Sequence, residues 1–275
     1  MTPEISVIIT SYNRGTYLST AIQSVLDSSF QNFELIISDD RSKDNSYEIA
    51  CDFATKDNRI RVFQNESNIG DYPNRILSIN RSNGKWIKFV DCDDFISVDC
   101  LQLMVDFANK TKANFGLCAP KETEFRLLDS KSAFDTGVLN YYGPTGSFFR
   151  KERYNELGGF VNRITVSDWH MWQRFAIDGP IMVFPERLAT WRDHDDNTLK
   201  SDNHFYGVIR YYLISKLEIL IDKDHPYSKE QRTRLFKIER LNTLKLSIRF
   251  SLRLKNIRPL FNFIKFNLKY FFVRF

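Results

Sequence analysis

The sequence predicts an α/β fold in which a mostly parallel sheet is covered by helices on both faces. Three observations carry this. Apolar runs of strand length recur at Ile5–Ile9, Phe33–Ser38, Arg59–Phe63 and Lys85–Val90. Segments with apolar residues at helical spacing alternate with them through short connections, which is the pattern of consecutive βαβ units. The runs also stop in polar or acidic residues, at the carboxyl ends where open α/β sheets bind ligands.

Taken in order, the first run ends at the polar loop Thr10-Ser11-Tyr12-Asn13-Arg14-Gly15. Tyr17, Leu18, Ala21, Ile22, Val25 and Leu26 then recur at helical spacing and predict an amphipathic helix. The second run stops in Asp39-Asp40-Arg41-Ser42, and Asp44 or Ser42 is placed to cap the next helix. Pro73 suits the first turn of a third helix, which Gly84 is expected to close. A helix from Val98 to Lys110 and a strand at Asn114–Cys118 follow. Residues 120–142 are polar and irregular, and read as a hairpin reaching over the site. Ser167 is the expected N-cap of a helix bearing Trp169, Trp172 and Phe175, with Asp168 in its first turn. Two short strands, Ile181–Phe184 and Leu188–Trp191, precede Arg192-Asp193-His194.

The fourth run delivers the most informative residues, Asp91-Cys92-Asp93-Asp94. Like charges crowded at a strand end repel and are costly to desolvate. A divalent cation removes that cost, and hard carboxylate oxygens suit Mg²⁺ or Mn²⁺, which then bridge to phosphate. The plainer reading of an isolated Asp-x-Asp is a solvated acidic turn. No Gly-x-Gly-x-x-Gly follows the first strand and no Gly-Lys-[Ser/Thr] loop is present, so phosphates would be held by metal and side chains rather than by a glycine cradle.

Composition bounds the remaining choices. At 275 residues with 43% hydrophobic and 27% charged residues, the chain is of ordinary globular character. Cys51, Cys92, Cys100 and Cys118 form no CxxC or zinc spacing, so reduced cytosolic thiols are expected. The N-terminus lacks the pattern of a signal peptide. The net charge of +5 conceals an asymmetry: residues 232–275 carry 12 Lys/Arg against one acid, Glu239, while the remainder is net acidic.

With these stations read in order, the sequence resembles glycosyltransferase family 2, inverting enzymes with the nucleotide-sugar-binding fold called GT-A. The stations are Val7 through Asn13, Ile37 through Ser42, Asn68-Ile69-Gly70 through Arg75, Asp91 through Asp94, Ser167-Asp168-Trp169 and Arg192-Asp193-His194. The resemblance implies that Thr10 and Tyr12 lie against the nucleotide base, with Asp40 accepting a hydrogen bond from it and Asp39 supporting or sharing that role. It places Arg75 near base and diphosphate, Asp91 and Asp93 at ribose and metal, and Asp94 nearest the cation. Asp168 becomes the catalytic base, in a Ser-Asp where many members have Glu-Asp. The implied reaction moves a sugar from a nucleoside diphosphate, UDP by family weight, to an acceptor hydroxyl. The competing functions are nucleotidyl or phosphoryl transfer and a non-catalytic nucleotide-sugar-binding assembly subunit.

Three assignments stay open on the residues. Asp168 also reads as a helix-capping residue. Trp169 and Trp172 read first as core, with Trp169 the candidate for stacking on a sugar. His194 reads as a third metal ligand or diphosphate contact, or as a surface histidine.

The catalytic domain is expected to span residues 1–200. Residues 201–275 form a basic helical extension, with helices at 207–222 and from about Ser228, where Ser228-Lys229-Glu230-Gln231 resembles a capping box. The segment after Pro259 is interrupted by Lys265 and Lys269 and is shorter than the ~20 apolar residues of a span. Basic and aromatic residues together suit a membrane interface. The expectation is a protein on the cytoplasmic face of the membrane that acts on a glycan or lipid-linked acceptor. A helical dimer surface is the alternative use of the extension, and no nucleic-acid-binding motif is present.

Overall fold

The computed structural model describes residues 2–140, 143–161, 166–194, 213–253, 255 and 257–269. Its centre is an eight-stranded sheet in the order β3-β2-β1-β4-β8-β6-β9-β7. The first four strands are β1 (Ile5–Ser11), β2 (Phe33–Asp39), β3 (Ile60–Gln64) and β4 (Trp86–Phe89), all mutually parallel. Helices α1 (Gly15–Leu26), α2 (Ser46–Ala54) and α3 (Asp71–Arg81) connect them. Every residue of β1 and β2 is buried, which is why these strands read as continuous apolar runs rather than alternating ones.

Alternation along the strands divides the core into two layers. Val7, Ile9, Leu35 and Ile37 pack with α1, α2 and α4 (Cys100–Lys110). Ile8, Ile36, Ile87 and Phe89 pack with α3 and α7 (Ser167–Asp178) on the other face. Helix α3 ends at Arg81, short of Gly84. A Cβ on Gly84 would lie 2.4 Å from the backbone nitrogen of Ser6, so this glycine permits close approach to β1 instead of closing the helix.

The second half departs further from expectation. Strand β8 (Ser147–Arg150), which carried no strand signal and leads into the short helix α6 (Lys151–Glu156), inserts antiparallel between β4 and β6 (Phe115–Cys118). Residues 120–142 do not reach over the site where they are described. They supply β7 (Arg126–Leu128), which closes the far sheet edge against β9 (Ile181–Phe184), and the short helix α5 (Ser130–Asp135); residues 141 and 142 lie outside the described set. The N-cap of α7 is Val166, with φ of 59°, while the Ser167 hydroxyl donates to the Val161 carbonyl. The strand expected at Leu188–Trp191 forms as β10 (Ala189–Thr190) and pairs with an unforeseen strand, β5 (Phe95–Ile96), in an antiparallel ribbon. It returns residues 191–194 to the acidic end of β4.

The C-terminal extension comprises helical residues 213–220 (α8), α9 (Lys229–Arg253) and α10 (Arg258–Lys269), while 207–212 and 270–275 lie outside the described residues. The capping box forms: Ser228 and Gln231 exchange backbone-to-side-chain hydrogen bonds of 2.9 and 3.2 Å. The apolar stripe of α9 does not face inward. Thr243 and Ser247 are buried, whereas Ile238, Leu241, Ile248 and Leu252 are exposed, Leu252 at 75%.

Candidate active site

The carboxyl ends of β1, β2 and β4 converge, with Ser11 paired in register to Asp39 and Ile8 to Phe89. The loops beyond β1 and β2 are laced together: the Asn13 amide donates to Ser42 Oγ, the Gly15 amide to Asp44, and the Lys43 amide to the Asn13 side chain. The N-cap of α2 is Asn45 rather than Asp44 or Ser42, and Asp44, one residue earlier, accepts from the Ser46 amide at 3.1 Å. Thr10 is buried at the end of β1, and Tyr12 is 40% exposed at the crevice rim.

The two adjacent aspartates after β2 differ in a way the sequence does not disclose. Asp40 accepts from the side chain of Asn65 and from the amides of Ile69 and Gly70, so both its oxygens tie down the loop leading into α3. Asp39 Oδ2 accepts from the Ser42 amide and Gln64, while its Oδ1 is buried with no hydrogen-bond partner among the described residues. Among the described residues the buried acceptors left over at this end include Asp39 Oδ1, Asn65 Oδ1 and Ser11 Oγ, whereas Asp40, expected to face the base, is engaged by protein donors.

The Asp91–Asp94 carboxylates point three ways. Asp91 receives a hydrogen bond from Arg75 Nη2 at 2.7 Å. Asp94, expected nearest the cation, turns inward: Oδ2 accepts from Thr145 Oγ1 at 2.6 Å and Oδ1 from the Arg192 amide at 3.0 Å. Burial, added to the charge of Asp91, pushes its carboxyl up to about 7. Thr145 also accepts from the Asp91 amide, and buried Lys88 donates to the carbonyls of Thr145 and Phe89. Asp93 remains at the mouth, its Oδ2 3.1 Å from His194 Nε2 and 3.8 Å from Arg14 Nε. Tyr17 stacks on His194 at 4.5 Å and fixes the imidazole plane.

Among the described residues no three His, Cys, Asp or Glu side chains gather around one point. The Asp93–His194 pair nevertheless fits a cation. Asp93 Oδ2 and His194 Nε2 stand 3.1 Å apart, a hydrogen-bond distance that also matches the ~3 Å spacing of neighbouring ligands on an octahedral ion with bonds of about 2.1 Å. Oxygen and imidazole donors also suit Mn²⁺.

Across the crevice, Asp168 lies in the first turn of α7 and is 8% exposed. Its Oδ1 accepts from the Tyr72 hydroxyl at 2.6 Å and from the Trp169 amide at 2.7 Å. Burial pushes the carboxyl up, opposed by those two hydrogen bonds and by Arg75. Arg75 itself is buried. Burial works against its charge, but Asp71 and Asp91 hold its pKa above the ordinary arginine value. The start of α3 therefore bridges the acidic loop, through Arg75, to Asp168, through Tyr72. Trp169 is only 2% exposed, with Lys216 Nζ 5.3 Å from its ring centre, so that side chain sits in packing between α7 and α8.

Sequence reasoning missed Tyr72, Thr145 and Arg14. Tyr72 could have been found, because it stands three residues before Arg75 on one helix face. Thr145 bears no charge and lies 51 residues from Asp94, so nothing in the sequence pointed to it.

The family model described as "Glycosyl transferase family 2" matches residues 6–175 of the chain, a stretch that contains β1 through most of α7 and both carboxylate sites. The chain belongs to glycosyltransferase family 2. A glycosyltransferase of Haemophilus influenzae is 34% identical over 138 residues, 48% of this chain and 55% of its own length. Streptococcus pneumoniae glycosyltransferase GlyG is 36% identical over 38% of this chain and 35% of its own. These two matches thus span about half or less of the relatives' lengths. A longer match, 27% identical over 82% of this chain and 79% of the relative, is to the GalNAc(5)-diNAcBac-PP-undecaprenol beta-1,3-glucosyltransferase of Campylobacter jejuni. Among solved structures, Staphylococcus aureus TarS 1–349 in complex with UDP-GlcNAc superposes with a TM-score of 0.69 at 18% identity, over 88% of this chain and 72% of that one. Mannosyltransferase PcManGT of Pyrobaculum calidifontis, in complex with GDP-Man and Mn²⁺, gives 0.65 at 14%, over 82% and 66%. The fold of this family 2 glycosyltransferase is GT-A.

Proposed function

We propose that this glycosyltransferase moves a sugar from a UDP-sugar to a hydroxyl of a lipid-linked acceptor, with inversion at the anomeric carbon, during assembly of a cell-surface glycan. The observation that carries the reading is the division of labour in one crevice: an Asp93–His194 pair at the mouth spaced for a cation, and a separate buried carboxylate on α7. Asp93 and His194 would hold Mn²⁺ or Mg²⁺, which when bound supplies positive charge for the departing diphosphate. Arg75 and Arg14 add fixed positive charge on the same side. Thr10 and Tyr12 flank the base, with Asp39 as its acceptor.

In the transfer, the acceptor oxygen bonds to the anomeric carbon as the bond from that carbon to the diphosphate breaks. The acceptor proton passes to Asp168, and UDP leaves with the bonding pair. Asp168 Oδ2 takes no hydrogen bond from the described residues and is the oxygen for that proton.

Residues 1–200 are the catalytic unit in this reading, and 201–275 hold it at the cytoplasmic membrane face. The exposed aliphatic stripe of α9 is interleaved with exposed Arg234, Lys237, Lys245 and Arg249, and α10 exposes Phe261 and Ile264. No helix among the described residues is long and apolar enough to cross a membrane. Such a surface suits the interface of an anionic bilayer. The undecaprenol in the name of the Campylobacter relative supports a lipid-linked acceptor.

Incubation with Mn²⁺ and, separately, UDP-glucose, UDP-galactose, UDP-GlcNAc and UDP-GalNAc is expected to release UDP slowly from at least one donor. Binding of UDP without turnover of any donor supports the assembly-subunit reading instead. In flotation with anionic vesicles, Leu241→Glu with Leu252→Glu is expected to move the protein from the lipid to the soluble fraction. Unchanged flotation removes α9 as the anchor.

A further inference from the structure

We infer that Tyr72 is a positioning residue for the base: its hydroxyl fixes one oxygen of Asp168, so that the other is presented to the acceptor hydroxyl. This rests on the reading of Asp168 as the base. A carboxylate on a short side chain can rotate about its last bond and offer either oxygen. Here rotation is blocked, because Oδ1 accepts two hydrogen bonds in fixed directions, from Tyr72 Oη at 2.6 Å and from the Trp169 amide at 2.7 Å. Oδ2 takes none from the described residues.

Tyr72 is itself held on three sides. Its ring meets Phe160 edge-on at 5.7 Å and is 7% exposed. It lies in the first turn of α3, whose N-cap, Gly70, has φ of 92°. The amides of Ile69 and Gly70 are tied to Asp40 at the end of β2. The geometry of the base is therefore referred back to the parallel sheet through Tyr72, which lies 96 residues from Asp168 in sequence. A base held by a rigid partner loses less to reorganisation than one on a free rotor.

Asp168 is faced by Asp71, Tyr72 and Arg75 from α3 and by Asp91 from the end of β4. Arg75 favours the carboxylate and the two aspartates oppose it. Burial, with the nearby charge of Asp168, holds the Tyr72 phenol well above its ordinary value, so it stays a donor throughout the working range.

The test is Tyr72→Phe, alone and combined with Asp168→Asn, assayed by UDP release from whichever of the four UDP-sugars turns over with Mn²⁺. The single variant is expected to lower kcat about ten- to a hundredfold, the effect of one hydrogen bond to a charged group. KM for the donor should stay within about twofold. The acid limb of kcat should move to higher pH, because the ionised carboxylate has lost a donor. In the Asp168→Asn background, adding Tyr72→Phe should cost nothing more. A ¹³C NMR titration of the Asp168 carboxyl, which needs no substrate, should show its midpoint rising in Tyr72→Phe. Wild-type kcat, acid limb and carboxyl midpoint in Tyr72→Phe, with Asp168→Asn inactive, overturn this inference alone. A further loss of rate in the double variant, equal to that of Tyr72→Phe alone, also overturns it by assigning Tyr72 a general structural role. Undiminished transfer by Asp168→Asn removes the base reading itself.

Discussion

The acidic end of β4 and the start of α7 use the same side chain in opposite settings. At β4, Asp91 pairs with Arg75 and Asp93 stands beside His194 and Arg14 at the crevice mouth, with Asp94 turned inward as a tie between Thr145 and the 191–194 return. At α7, a single buried carboxylate is braced by a phenol and a backbone amide, and burial makes it readier to take a proton. The same residue type is thus set against ionic partners at one place and against desolvation at the other. Residue type alone is silent on that division.

The sharpest way to break the comparison is Asp168→Asn. It is expected to lower kcat about 10²–10⁴-fold, the usual contribution of a general base, while UDP binding measured by calorimetry with Mn²⁺ stays unchanged. Parallel loss of binding and rate would show that the two settings are not functionally separate. Next in size, Asp93→Ala should abolish the Mn²⁺-dependent part of UDP binding. His194→Ala should weaken it at least tenfold, roughly the loss seen even for outer-shell partners of a metal. Binding indifferent to both substitutions would take the cation away from this end of the crevice.

A pH profile sharpens the contrast. In its proposed role Asp168 must be ionised to act, and burial makes it hold its proton to higher pH than an ordinary aspartate. Activity is therefore expected to fall as pH drops through a value above about 3.9, the ordinary aspartate figure, and an acid limb at or below that figure contradicts the buried setting.

The smallest effect concerns stability. The Asp94 pKa is raised in the fold to about 7 from 3.8. Between those values the folded state holds a proton that the unfolded state releases, so the fold loses stability as pH rises from 4 to 7. In EDTA, Asp94→Asn should thus raise the melting temperature at pH 8 and leave it unchanged at pH 3.5. Equal melting curves at pH 8 would mean that Asp94 is not the inward, desolvated member of the cluster.

Much of this was legible before any coordinates. The fully buried strands β1 and β2 had to be written as apolar runs, and carboxylates at strand ends announce themselves as charge. Where the reading erred, the deciding contact was made by a distant segment. Strand β8 carried no recognisable signal because its place between β4 and β6 depends on two partners on either side. Ser167 looked like an N-cap by type, yet its hydroxyl is taken by Val161 and the cap falls to Val166 in a left-handed conformation. Ile238, Leu241, Ile248 and Leu252 recur along α9 at helical spacing, but a period does not say which side faces the protein, and the buried side holds Thr243 and Ser247.

The sequence by itself determined the α/β architecture, the crevice at the carboxyl ends of the first strands, and the acids that line it, because burial and charge are properties of residues in a row. Only the tertiary structure decided which oxygen of which aspartate stays available. That depends on donors such as Thr145, the Arg192 amide and Tyr72, which are 51, 98 and 96 residues from the groups they hold, and a hydrogen bond requires the closeness that only the folded chain supplies.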